Sequence, residues 1–169
     1  MSTSTIVILS ECPFTAGDAQ EILSLHEGLA VNYHVIVPVD SGAGLLTRLL
    51  DDLSMLDLKQ LVRDLTPQNP QAQRETADET LQTCLSELRD ARIAIGMDPA
   101  EAGVAGAVTD EAPLTALGQA VDRFQPREIV AVTRPHAVED TLRTDWASVA
   151  RTTLGLPVLH LYGGTGLVG

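Results

Sequence analysis

Thr133, Arg134 and His136 bring a hydroxyl, a guanidinium and an imidazole close together in the chain, a set able to converge on a small anion where a helix begins. Ser10, Cys12 and Val39 join them as candidate ligand-binding residues, because they lie at or just past the ends of apolar runs. A competing reading pairs Arg134 with a neighbouring carboxylate and has His136 cap a helix. Cys12 would be a low-pKa thiol if a helix end faced it, and a small apolar residue otherwise. Cys84 lies on an apolar helical stripe and reads as core. Other chemistry is sparse: no two histidines have metal-ligand spacing, and there is no GxSxG, no P-loop and no paired glycosidase-type signature. Asp51, Asp52, Asp57 and Asp64 read as wet helix faces. No catalytic residue and no metal ligand is therefore assigned.

The elements that must position these side chains are clearest from Glu128 to Tyr162. Ile129 to Val132 is a continuous apolar run rich in β-branched residues, as in a strand buried on both faces of a parallel sheet. Pro135 forces a turn, and Val138, Leu142, Trp146, Val149 and Thr153 then recur at helical spacing. Gly155 is expected as a left-handed cap before Pro157, and Val158 to Tyr162 as the next strand. Strands joined in this way lie parallel with a right-handed crossover.

Upstream, Thr5 to Ser10 and Tyr33 to Val39 read as the first two strands. The helix between them opens on a Thr15 and Asp18 capping box and buries Ile22, Leu25 and Leu29. A helical insertion over about residues 43–66 follows, with Leu45 to Leu65 broken near Ser54; it would serve as a lid, a docking surface or sheet packing. Thr66 to Gln73 reads as a linker. The stripe Ala77, Leu81, Cys84, Leu88, Ala91 and Ile95 predicts a helix from about Glu75 to Ile95, which excludes a strand at RIAIG. Val104 to Thr109 is a small-residued strand placed toward an edge. Pro113 opens a helix whose buried side is Leu114, Leu117, Val121 and Phe124. Gly163 to Gly169 is a flexible glycine-rich tail. The sum is one α/β domain, doubly wound and Rossmann-like, with a five-stranded parallel sheet and a ligand crevice beyond the carboxyl ends of its strands.

Composition narrows the function classes. The 169 residues fit one domain with a real core. Aromatics make up only 3%, which argues against a stacking platform for single strands. A formal charge of −12 repels nucleic acid and anionic membranes. Two distant cysteines require no oxidising compartment, and neither a signal peptide nor a membrane-length apolar stretch is read. A soluble cytoplasmic protein is expected.

The order of elements, with TIVILS at the first strand, VAGAVTDEAPLTAL across the third strand and the helix after it, and REIVAVTRPH through GLPVLHLY at the end, resembles the universal stress protein family over nearly the whole chain. The resemblance implies a sheet with strand three at one edge, strands one and four in the middle and strand five at the other edge. It also implies homodimers formed through strand five, here Val158, Leu159, His160 and Leu161. Members that bind ATP resemble each other in a loop after strand four: a glycine, two residues, a second glycine, nine residues, then glycine with Ser or Thr. Here those positions hold Val132, Pro135, Thr144 and Asp145, and Ser10 replaces an aspartate at the end of strand one. Pro135 removes a donor and Asp145 sets a negative charge near the phosphates, so no cofactor is expected, ATP included. The resulting expectation is a non-catalytic homodimer in an interaction or small-molecule sensing role, with the Leu45 to Leu65 helices as a candidate surface for a protein partner. The alternative is a nucleotide- or small-anion-binding protein or enzyme with a site rebuilt from Ser10, Arg134 and His136.

Overall fold

A computed structural model describes residues 3–39, 69–98, 103–134, 151–164 and 167–168. The elements in chain order are β1 (Ser4–Ser10), α1 (Ala16–Leu25), β2 (Val31–Pro38), α2 (Pro70–Ala94), β3 (Val104–Thr109), α3 (Pro113–Phe124), β4 (Glu128–Thr133), β5 (Val158–Tyr162) and β6 (Leu167–Val168). They form one sheet in the order β3-β2-β1-β4-β5-β6. The first five strands pair in parallel, and β6 lies antiparallel on Leu161 and Tyr162 of β5. The five-stranded parallel sheet expected from the sequence is present, in the expected order. The last residues of the supposed tail add a short sixth strand to it.

Central position explains why β1 is apolar throughout. Ile6, Val7, Ile8 and Leu9 are all fully buried, and alternate side chains point to opposite faces. Ile6 and Ile8 join one core with α1 and α2, built around Ile22, Leu81, Cys84 and Leu88. Val7 and Leu9 join a second core with α3, built around Ala116, Leu117 and Ala120. The remaining α3 residues expected inside, Leu114, Val121 and Phe124, are half-buried at the margin of that second core.

Three apolar positions, Leu25, Leu29 and Ile95, depart from expectation. Leu25 is 42% exposed and Leu29 40%, because α1 ends at Leu25 and its buried stripe continues from Ile22 to His26 instead. His26 is buried because its ring is held by Ile22 O at 2.7 Å, Glu128 Oε1 at 2.8 Å and the Tyr33 hydroxyl at 3.2 Å. Ile95 is 70% exposed, since α2 ends at Ala94 and the helical stripe no longer applies beyond it.

The start of α2 is also earlier than expected. Asn69 caps it by accepting from the Gln71 and Ala72 amides, and Pro70 sits in the first turn, where a missing N–H costs nothing. Part of the stretch read as a linker is therefore helix. Other local readings hold: Thr15 and Asp18 form a full capping box, RIAIG is not a strand, and Gly155 has a φ of +67° where its amide reaches Arg151 O. The Leu45 to Leu65 insertion and the positions from Val138 to Trp146 lie outside the described residues.

Candidate functional site

The sheet order reverses between β1 and β4, so the crevice of interest opens beyond Ser10 and Thr133. The chain itself occupies much of it. Ser10 is fully buried and donates its hydroxyl to Cys12 O at 2.8 Å, closing a tight turn at the strand end. Thr133, 1% exposed, shares a 2.7 Å hydrogen bond with His160 Nε2 on β5. His160 is itself buried, with its ring edge-on to Tyr162.

Arg134 and Glu11 interlock at the mouth. The Arg134 amide donates to the Glu11 carboxylate, and the Arg134 guanidinium donates to Glu11 O at 3.2 Å. Glu11 N in turn donates to Val132 O at 3.2 Å, extending the β1–β4 ladder by one rung. The carboxylate partner that the sequence leaves unnamed for Arg134 is thus Glu11, met through the backbone amide.

Beside this pair, toward β2, the described residues line a cleft of ≈ 180 Å³ between Val37, Pro38, Thr76, Thr80 and the Glu11–Arg134 pair. Ligand pockets are commonly about 300–1,000 Å³. Val39 extends β2 at the same end, its amide bonded to Thr109 O at 2.9 Å. His136 lies outside the described residues, as do the loop positions Pro135, Thr144 and Asp145.

On the β5 side, Gly163 and Gly164 fold across the strand ends. Gly163 N donates to Thr133 O at 2.9 Å, and a side chain at Gly163 would stand 2.5 Å from Cys12 Sγ. Gly164, at a φ of +78°, donates its amide to both Asp18 oxygens at 2.9 and 3.0 Å. Asp18 is 4% exposed and already completes the α1 cap, so one carboxylate holds a helix start and the turn after β5 together. Sequence reasoning found the cap but neither Glu11 nor the Gly163–Gly164 strap. No local pattern signals either, because their partners are far along the chain.

Cys12 beneath this strap is not an activated thiol. Burial, then the Glu11 charge, pushes it up to about 11, with Arg134 opposing. Cys84 donates to Cys12 O at 3.5 Å and is pushed up to about 12, again chiefly by burial. Among the described residues no cluster of histidine, cysteine and carboxylates could hold a metal ion, and no helix is long and apolar enough to cross a membrane.

At the proposed interface strand, Val158, His160 and Leu161 are buried within the monomer and Leu159 is half-buried. The Arg151 guanidinium covers Val158 O at 3.3–3.4 Å, and β6 covers Leu161 and Tyr162.

No protein-family model matches the chain, and no curated protein matches it in sequence. Solved structures do match. A universal stress protein from Archaeoglobus fulgidus shares 13% identity at a TM-score of 0.50, over 94% of this chain and 93% of that one. A universal stress protein family protein from Arabidopsis thaliana with AMP bound shares 11% identity at a TM-score of 0.47, over 95% of this chain and 93% of that one. With its parallel strands in the order β3-β2-β1-β4-β5, the chain has the fold of the universal stress proteins.

Proposed function

We propose that this chain is a non-catalytic protein of universal stress protein-like fold, working as a homodimer in an interaction or small-molecule sensing role and not holding ATP at the carboxyl ends of its strands. One observation carries the reading: the first backbone donor after β4, the Arg134 amide, is taken by the chain's own Glu11 carboxylate. A polyphosphate placed there would meet a fixed negative charge and a donor already engaged. The internal bonding of Ser10 and Thr133 and the small volume beside them point the same way.

In this reading the partner copy packs on the β5 side, against Leu159 and the short β6. Light scattering on the eluting protein at micromolar concentration should report a dimer; monomer alone would overturn that part.

The nucleotide part is tested by thermal shift with Mg-ATP, AMP and phosphorylated metabolites. A ligand at a hundredfold above its Kd stabilises by about 2.7 kcal/mol, which is readily seen. No shift is expected with ATP or AMP. A nucleotide shift abolished by Arg134→Ala would favour the alternative, a site rebuilt from Ser10, Arg134 and His136.

A further inference from the structure

At the opposite, amino-terminal end of the sheet, the structure holds a cleft of ≈ 590 Å³ between the end of α1, the start of β2 and the last turn of α2. Arg92 is part of its wall and is only 4% exposed. A guanidinium that deep normally faces a carboxylate. Here, among the described residues, no carboxylate pairs with it. Its plane is fixed over the Tyr33 ring at 5.3 Å, Nη1 donates to Val31 O at 2.9 Å, and Nε points at Met97 Sδ. Nη2 has no hydrogen-bond partner among the described residues.

Glu128 is bound to His26 Nε2, and Glu27 lies at the rim of the cleft. The rest of the lining is largely apolar, and two of its members, Leu29 and Ile95, are exposed at 40% and 70%. The cleft therefore joins a fixed, buried cation to an open apolar wall.

We infer that this cleft is a binding site for a small amphipathic monocarboxylate, its carboxylate on Arg92 Nη2 and its apolar body along Leu29 and Ile95. With Nε and Nη1 engaged by the protein, Nη2 is the nitrogen left to donate a charge-assisted hydrogen bond to a carboxylate oxygen. Burial works against the charged form of Arg92, with the Tyr33 hydroxyl opposing, so an incoming anion supplies what the interior lacks. The Glu27 charge at the rim and the −12 of the whole chain select against multiply charged anions such as phosphates. The volume lies within the usual range for small-molecule pockets, about 300–1,000 Å³. This site is remote from the crevice beyond Ser10 and stands or falls independently of the function proposed for it.

The test is calorimetric titration of the full chain with octanoate, with 1-octanol and inorganic phosphate as comparisons. Octanoate should bind saturably at one site per chain, while octanol binds far more weakly and phosphate does not bind. Ile95→Glu changes an exposed residue and leaves the fold intact; it should weaken octanoate by about tenfold or more, through lost apolar contact and added repulsion. Arg92→Gln, checked for folding by circular dichroism, should do the same. The inference is overturned if octanoate does not bind at millimolar concentration, if phosphate or octanol binds as well as octanoate, or if Ile95→Glu binds octanoate unchanged.

Discussion

Ser10 gives its hydroxyl to Cys12 O, Thr133 shares its own with His160, and the Arg134 amide is held by Glu11. Among the described residues, Ser10, Thr133 and Arg134, which the sequence offers as ligand contacts, thereby serve the ends of strands. The thiols are similarly withdrawn, since burial raises Cys12 to about 11 and Cys84 to about 12. At pH 8 the folded protein should react negligibly with a disulfide reagent such as DTNB, and two thiols per chain should appear in denaturant. Rapid labelling of the native protein would contradict the burial of both. His34 supplies a pH dependence. Its ring lies against Phe124 at 4.2 Å, and burial, then the Arg123 charge, lowers it below its ordinary 6.5. The unfolded chain then takes up the proton first, so the stability His34 contributes is present above pH 6.5 and is lost as pH falls below it. Between pH 7.5 and 5 the urea midpoint of the wild type should fall further than that of His34→Gln; equal falls would remove the assignment. The types of these residues were legible in the sequence. Their partners were not, because a hydroxyl or an amide carries no local sign of which distant acceptor it will meet.

At the scale of elements, α2 shows what periodicity tells and where it stops. Ala77, Leu81, Cys84, Leu88 and Ala91 are all buried, as their alternation of four and three requires. The helix starts before the expected Glu75: proline and amide residues make Thr66 to Gln73 read as a linker, whereas Asn69 followed by Pro70 is itself a start signal. Asn69→Ala should cost about 1 kcal/mol of unfolding free energy through the lost cap. Leu88→Ala, at a fully buried position, should cost about 2–5 kcal/mol, and chemical denaturation distinguishes the two. α1 carries the complementary lesson. Its apolar spacing favours Leu25 and Leu29 as buried, but the hydrogen bonds of His26 to Glu128 and Tyr33 turn the helix end the other way. A buried polar ring satisfied on several sides outweighs two leucines left at the surface.

At the scale of the whole molecule, the strap at Gly163–Gly164 decides how open the crevice is. Only glycine fits at 163, where a Cβ would stand 2.5 Å from Cys12 Sγ, and the amide of Gly164 reaches Asp18 on α1. Ending the chain after Tyr162 should therefore expose Cys12 to DTNB in the native state while Cys84, fully buried on the inner face of α2, stays unreactive. Unchanged protection of both thiols would show that the strap does not cover the site. Taken alone, the amino-acid sequence determined the five parallel strands, the described helices and their succession, though not β6, because burial on one or both faces of an element imprints a period of two or of about 3.6 on neighbouring residues. The tertiary structure alone decided that Glu11 meets Arg134, that His26 meets Glu128 and that Asp18 meets Gly164. These partners are 123, 102 and 146 residues apart, so sheet order and crossover geometry bring them together, and no spacing within the chain encodes that.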